Sequence, residues 1–95
     1  MKRDDFIWTI GYQGDTAIVD GPARKRYRNR SAEDLLKEGL YRAAFCAAVY
    51  DNKTEEFLPR FVKQTGIKAD SVVYLQRLYG VFGIPESVRK VSIIG

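Results

Sequence analysis

Two runs of β-forming residues, FIWTI at 6–10 and TAIV at 16–19, stand either side of Gln13-Gly14-Asp15. A glycine-bearing turn between two such runs predicts a β-hairpin, with strands over 6–12 and 15–20. A two-stranded hairpin is marginal in water on its own, so one face must be covered by the rest of the chain. Gly21-Pro22 predicts the end of the second strand, because proline has no N–H to give to a ladder.

The cover is predicted downstream. Ser31 is followed by Glu33 and Asp34, close to a capping box, and the two acids fall in the first turn, where the helix dipole favours negative charge. This spacing predicts one long helix over about 32–50. Leu36, Leu40, Ala43, Ala47 and Tyr50 form one apolar stripe, and Leu35, Cys46 and Val49 form a neighbouring one. Residues 43–50 are apolar all round, which marks the central helix of the core.

A loop over 51–54 and a second helix follow. Proline is tolerated best in a first turn, so Pro59 predicts a firm start near Leu58, and Gly66 suits the position just past the end. A third helix is expected from Ser71, capped by Asp70 or by Ser71 itself, to Tyr79 or Phe82. The tail VRKVSII, 88–94, has the composition of a third strand able to pair with the hairpin edge. Together these elements predict an α+β fold: an N-terminal hairpin, with a C-terminal third strand, packed against about three helices. At 95 residues the chain has the size of a single domain. It is expected to divide into a hairpin at 6–20, a basic connector at 21–30, a helical part at 31–82 and a strand at 88–94.

Hydrophobic residues make up 45% of the chain, which excludes the composition of disordered proteins. The longest apolar run, AAFCAAVY, has eight residues, far fewer than the roughly 18 a spanning helix needs. The single cysteine, Cys46, cannot form an internal disulfide, and the first residues do not resemble a secretory signal. An intracellular, cytoplasmic protein with no membrane role is expected.

Charge is distributed unevenly. Sixteen Lys and Arg against twelve Asp and Glu give +4. Arg24, Lys25, Arg26, Arg28 and Arg30 fill five of seven consecutive positions with no acid among them. Without these five, eleven basic residues face twelve acidic ones, so the run holds the whole positive excess.

Catalytic and metal signatures are missing. There is no histidine, one cysteine cannot build a zinc site, and the carboxylates are not spaced as an oxygen cage. Gly11 and Gly14 match neither a P-loop nor a dinucleotide-binding turn. Cys46 lies between Phe45 and Ala47, where a thiol is a small core residue. No enzyme activity and no cofactor are expected.

Two features point to binding. The segment FVKQTGIKADSVVYLQ, 61–76, resembles a helix-turn-helix: apolar Phe61 and Val62, Gly66 at the turn, Ile67 after it, then Val72 and Leu75 on the second helix. It departs from that pattern at Val62, where alanine or glycine is usual, and at Thr65, where an apolar residue is usual. The resemblance implies that the second helix presents Lys68, Asp70, Ser71, Tyr74 and Arg77 to a groove. The second feature is the basic run, whose five cations suit phosphate contacts while Tyr27 offers a ring for stacking on a base. Five phosphate contacts on duplex DNA would give a log K against log salt slope near −4 to −5.

The expected function is therefore a small nucleic-acid-binding or regulatory module. Arg24, Lys25, Arg26, Arg28 and Arg30 would contact phosphates and Tyr27 would stack, with Lys68, Tyr74 and Arg77 assisting if the helix-turn-helix resemblance holds. The rival expectation is a protein-interaction or homo-oligomerising domain with no nucleic-acid binding. In that case the run would meet an acidic protein partner, and Trp8, Tyr12, Tyr41, Phe57, Phe82 and the apolar tail would supply interface surface. The strand edge at 88–94 would then be the dimer seam.

Overall fold

In the computed structural model, which describes residues 1–95, the elements run α1 (Arg3–Ile7), β1 (Thr9–Gln13), β2 (Thr16–Asp20), α2 (Gly21–Arg26), α3 (Ala32–Lys37), α4 (Tyr41–Tyr50), α5 (Thr54–Thr65), α6 (Val72–Tyr79) and β3 (Lys90–Ile94). The protein is α+β, with an N-terminal hairpin and a C-terminal third strand as expected. Its contacts gather into two compact units. A sheet unit combines Met1–Arg30 with Ile84–Gly95, and a helical unit is the continuous stretch Ser31–Gly83.

The sheet unit is built on the hairpin. Gly14 takes φ 57°, and no positive φ occurs at Asp15, so glycine occupies the first central position of a two-residue turn, where a II′ geometry requires it. Gln13 pairs with Thr16, Tyr12 with Ala17 and Gly11 with Ile18, and the register shifts by a bulge between Thr9 and Gly11. β2 is central. β3 joins its other side in parallel, from Thr16 opposite Lys90 to Asp20 opposite Ile94. Ala17 and Val19 are fully buried on one face of the sheet.

Residues 6–8, expected in the first strand, are not in it. Phe6 and Ile7 end α1 and are buried, and Trp8 caps it. Asp4 and Asp5 in the first turn favour a helix start. The end is secured by Thr9, whose Oγ1 donates to the Asp5 carbonyl at 2.6 Å. The Asp20 N–H bonds the Trp8 carbonyl at 2.9 Å, tying the end of α1 to the end of β2.

The expected connector at 21–30 is also partly helical. Asp20 caps α2 by accepting from the Ala23 N–H at 3.1 Å, and Pro22 sits in the first turn, where its missing N–H costs nothing. Gly-Pro thus ends the strand and starts a helix. Gly21 is required for close approach: a Cβ there would stand 2.6 Å from the Ile94 carbonyl oxygen.

In the helical unit the long helix expected over 32–50 is two helices. Ser31 Oγ accepts from the Asp34 N–H at 3.0 Å and starts α3 as predicted. Gly39, at φ 80°, then stops it, with Gly39 N–H to Leu36 O and Leu40 N–H to Leu35 O forming a Schellman motif. α4 carries six consecutive buried residues, Ala43 to Ala48, so the enclosed central helix is present at half the expected length. α5 begins at Thr54 rather than near Leu58 and holds Pro59 inside it. Glu55, whose carbonyl would have accepted from residue 59, is exposed, as is Pro59, so water can solvate the orphaned group.

The core of this unit is aromatic. Phe45 lies 6.1 Å from both Phe57 and Tyr79, centroid to centroid, and Phe61 lies 5.9 Å from Phe57. Tyr41 and Tyr79 meet the Phe61 ring edge-on at 6.2 and 6.3 Å, the arrangement the ring quadrupole prefers. Phe57, expected as interface surface, is therefore a core residue. Gly66 at φ 74° and Gly80 at φ 66° end α5 and α6, and Ser71 caps α6. No helix is long and apolar enough to cross a membrane.

Candidate functional site

The basic run lies wholly in the sheet unit, and the charge bookkeeping follows it. Nine Lys and Arg against five Asp and Glu give this unit +4, while the helical unit has seven of each and no net charge. An electrostatic site is therefore a property of the sheet unit.

Three links from α1 fasten the run. Arg24 Nε donates to Asp5 Oδ1 at 2.6 Å, an ion pair in which the aspartate is 9% exposed and the arginine 27%. The Asn29 N–H donates to Asp4 Oδ2 at 3.3 Å, and Arg3 Nη1 donates to the Arg30 carbonyl at 2.8 Å. Asn29 takes φ 58°, a left-handed turn that asparagine tolerates better than most residues. Acids absent from the run in sequence are brought to it from 19 and 25 residues away.

The run's members consequently differ in role. Arg24 is an anchor, with its guanidinium held by Asp5. Lys25, Arg26 and Arg28 are exposed and form no ion pair with any acid. Arg24, Lys25 and Arg26 occupy the last turn of α2, where cations complement the dipole. Arg30 is half-buried at the end of the loop.

Tyr27 is already engaged. Its ring stacks on Trp8 at 5.3 Å with 27° between planes, and the Arg26 guanidinium stands over it at 5.4 Å. The one ring thus carries both the Trp8 stack and a cation–π contact from Arg26. Trp8 Nε1 and Asp4 Oδ1 are buried without hydrogen-bond partners.

The helix-turn-helix resemblance fares differently. α5 and α6 are separated by six residues, Gly66 to Ser71, longer than the three or four of that motif. Lys68 falls in this connector rather than on α6. The outward face of α6 carries Val73, Tyr74 and Leu78, each 41–49% exposed, with Arg77 as its cation. Asp70, Ser71, Tyr74, Arg77 and Leu78 line a shallow hollow there. Lys68, Tyr74 and Arg77 thus sit in a different unit from residues 24–30.

Cys46 is buried, and burial pushes its thiol above the ordinary value of 9.0, against a smaller opposite pull from the Arg42 charge. This is the environment of a core thiol. No group of three or more His, Cys, Asp or Glu is placed to hold a metal ion.

Sequence reasoning missed Arg3, Asp4 and Asp5, and named Trp8 only as interface surface and not as the ring that stacks on Tyr27. The Asp4-Asp5 pair lies farther from the run in sequence than Asp20 or Glu33-Asp34, 19 residues for the Arg24–Asp5 pair, so nothing local connects it to the run. Comparison with known proteins finds no matching family model, curated protein or solved structure.

Proposed function

We propose that the protein is a small nucleic-acid-binding module that contacts phosphates with Lys25, Arg26 and Arg28, flanked by Arg30. The observation that carries this reading is the exposure of three cations without acid partners on a segment pinned at both ends. Pinning matters because a flexible basic loop loses conformational freedom on binding, whereas a held one has already lost it. Arg24 and Tyr27 act as positioning residues: the first holds α2 to α1 and the second supports Arg26. Lys68, Tyr74 and Arg77 are left outside the contact set.

Three phosphate contacts correspond to a log K against log salt slope of about −2 to −3, or roughly 16- to 60-fold weaker binding at 200 mM than at 50 mM salt. The test is a fluorescence titration of labelled single- and double-stranded DNA and RNA with the wild type and a Lys25→Ala/Arg26→Ala/Arg28→Ala variant. Salt-sensitive binding that disappears in the variant supports the reading. Binding that ignores salt, or a variant that binds as well as the wild type, removes it.

A further inference from the structure

The sheet has two edges, and they are finished differently. On the β1 side the ladder is interrupted by the bulge between Thr9 and Gly11, a device that twists an edge away from strand pairing. On the β3 side five consecutive residues keep unbroken register with β2, and their side chains are apolar and open: Val91 is 40% exposed, Ile93 54% and Ile94 45%. No proline or bulge interrupts the strand, and its one charge, Lys90, stands at its first position.

The backbone of β3 defines what can pair with it. The Lys90 N–H points inward, to the Asp15 carbonyl at 3.1 Å. Amide directions alternate along a strand, so Val91 and Ile93 direct their N–H and C=O groups outward, away from β2. We propose that this edge is a homodimer seam, in which β3 of one copy pairs antiparallel with β3 of a second about a two-fold axis through Ser92.

That register is self-complementary at every position. Val91 lies opposite Ile93 of the other copy as a reciprocal hydrogen-bonded pair, and the two-fold makes the same pair again. Ser92 faces Ser92, a small polar match. Lys90 falls opposite Ile94, which keeps the two lysines about 14 Å apart along the seam. By the register with β2, Val91 and Ile93 share the face of Ala17 and Val19, so pairing extends one apolar face across six strands. A parallel, in-register partner would instead place Lys90 beside Lys90. A five-residue seam is small, so the dimer is a weak one, filling at micromolar concentrations and above.

The inference does not depend on nucleic-acid binding, and its test contains none. Sedimentation equilibrium of the full chain from about 5 to 500 µM should show mass rising from monomer toward dimer. Val91→Pro removes an outward N–H that β2 does not use, and should weaken association at least tenfold while circular dichroism stays native. Val91→Lys/Ile93→Lys sets like charges opposite each other and should abolish the dimer, whereas Val91→Lys/Ile93→Glu sets opposite charges together and should retain it. These two variants change only exposed side chains and keep the test valid if the proline variant fails to fold. A wild type that stays monomeric throughout, or charge variants that behave alike, overturns the proposal.

Discussion

The two units of this protein are held together by different physics. The helical unit is one unbroken stretch of chain, carries no net charge and is closed by rings: Phe45, Phe57, Phe61 and Tyr79 pack with Tyr41 around a helix of small buried residues. The sheet unit joins chain segments more than fifty residues apart, carries the whole +4, and adds backbone ladders, a carboxylate cap and an anchored guanidinium to its buried Phe6, Ile7, Ala17 and Val19. Apolar packing is non-directional and tolerates salt, whereas directional polar links fix the geometry of what they hold. The proposed contacts accordingly sit on the unit where directional links pin both ends of a segment whose other cations stay open.

The largest test of this contrast is Phe61→Ala. The ring is fully buried against three other aromatics, and its removal should cost about 3–5 kcal/mol in denaturant unfolding, with little dependence on salt. Hydrogen exchange should lose protection across α4 to α6. If β1 and β2 lose protection equally, the two units unfold as one and the comparison dissolves.

Arg24→Ala should have an intermediate effect. It strands the Asp5 carboxylate, which is 9% exposed. Because the arginine itself is 27% exposed, solvent screening brings the cost below that of a fully buried pair, to about 1–3 kcal/mol. Its signature should be salt dependence and a loss of protection confined to α1, α2 and the amide of Asn29. A variant indistinguishable from wild type would show that the Asn29 and Arg30 links alone hold the run.

The smallest effect is at alkaline pH and belongs to the helical unit. Burial raises Cys46 above 9.0, and burial followed by neighbouring Tyr41 and Tyr74 raises Tyr79 above 10.0. The folded state therefore keeps protons that the unfolded chain releases. Below pH 9 both states are protonated and stability is unaffected. As pH climbs past 9, and again past 10, the unfolded state gains and stability falls until the folded groups also ionise. Cys46→Ala should remove the earlier part of the decline in urea midpoints measured between pH 8 and 11. An unchanged profile in that variant would mean that Cys46 does not contribute.

Features within a few residues of one another were legible. Gly14 between two β-forming runs, Ser31 three residues before Asp34, Gly66 after α5 and Ser71 before α6 each act through contacts no farther than one turn, so their chemistry is written side by side. Three local signals were misweighed. Asp20-Gly21-Pro22-Ala23 is also a capped helix start, Gly39 divides the apolar pattern over 32–50 with a Schellman stop, and Pro59 does not force the start of α5 to Leu58 when the carbonyl it orphans faces water. In each case a glycine or proline is compatible with more than one local geometry, so the residue type alone does not choose between them.

The candidate site was legible in one respect only. The sequence by itself determined that a positive excess exists, that Arg24 to Arg30 contain it, and that strand-forming residues close the chain. Tertiary structure decided that Arg24 is anchored while Lys25, Arg26 and Arg28 stay open, that Tyr27 is covered by Trp8, and that β3 offers an unbroken edge. The reason is range: a turn or cap is satisfied by atoms the chain places within one turn, whereas an ion pair across 19 residues exists only after folding brings both partners together.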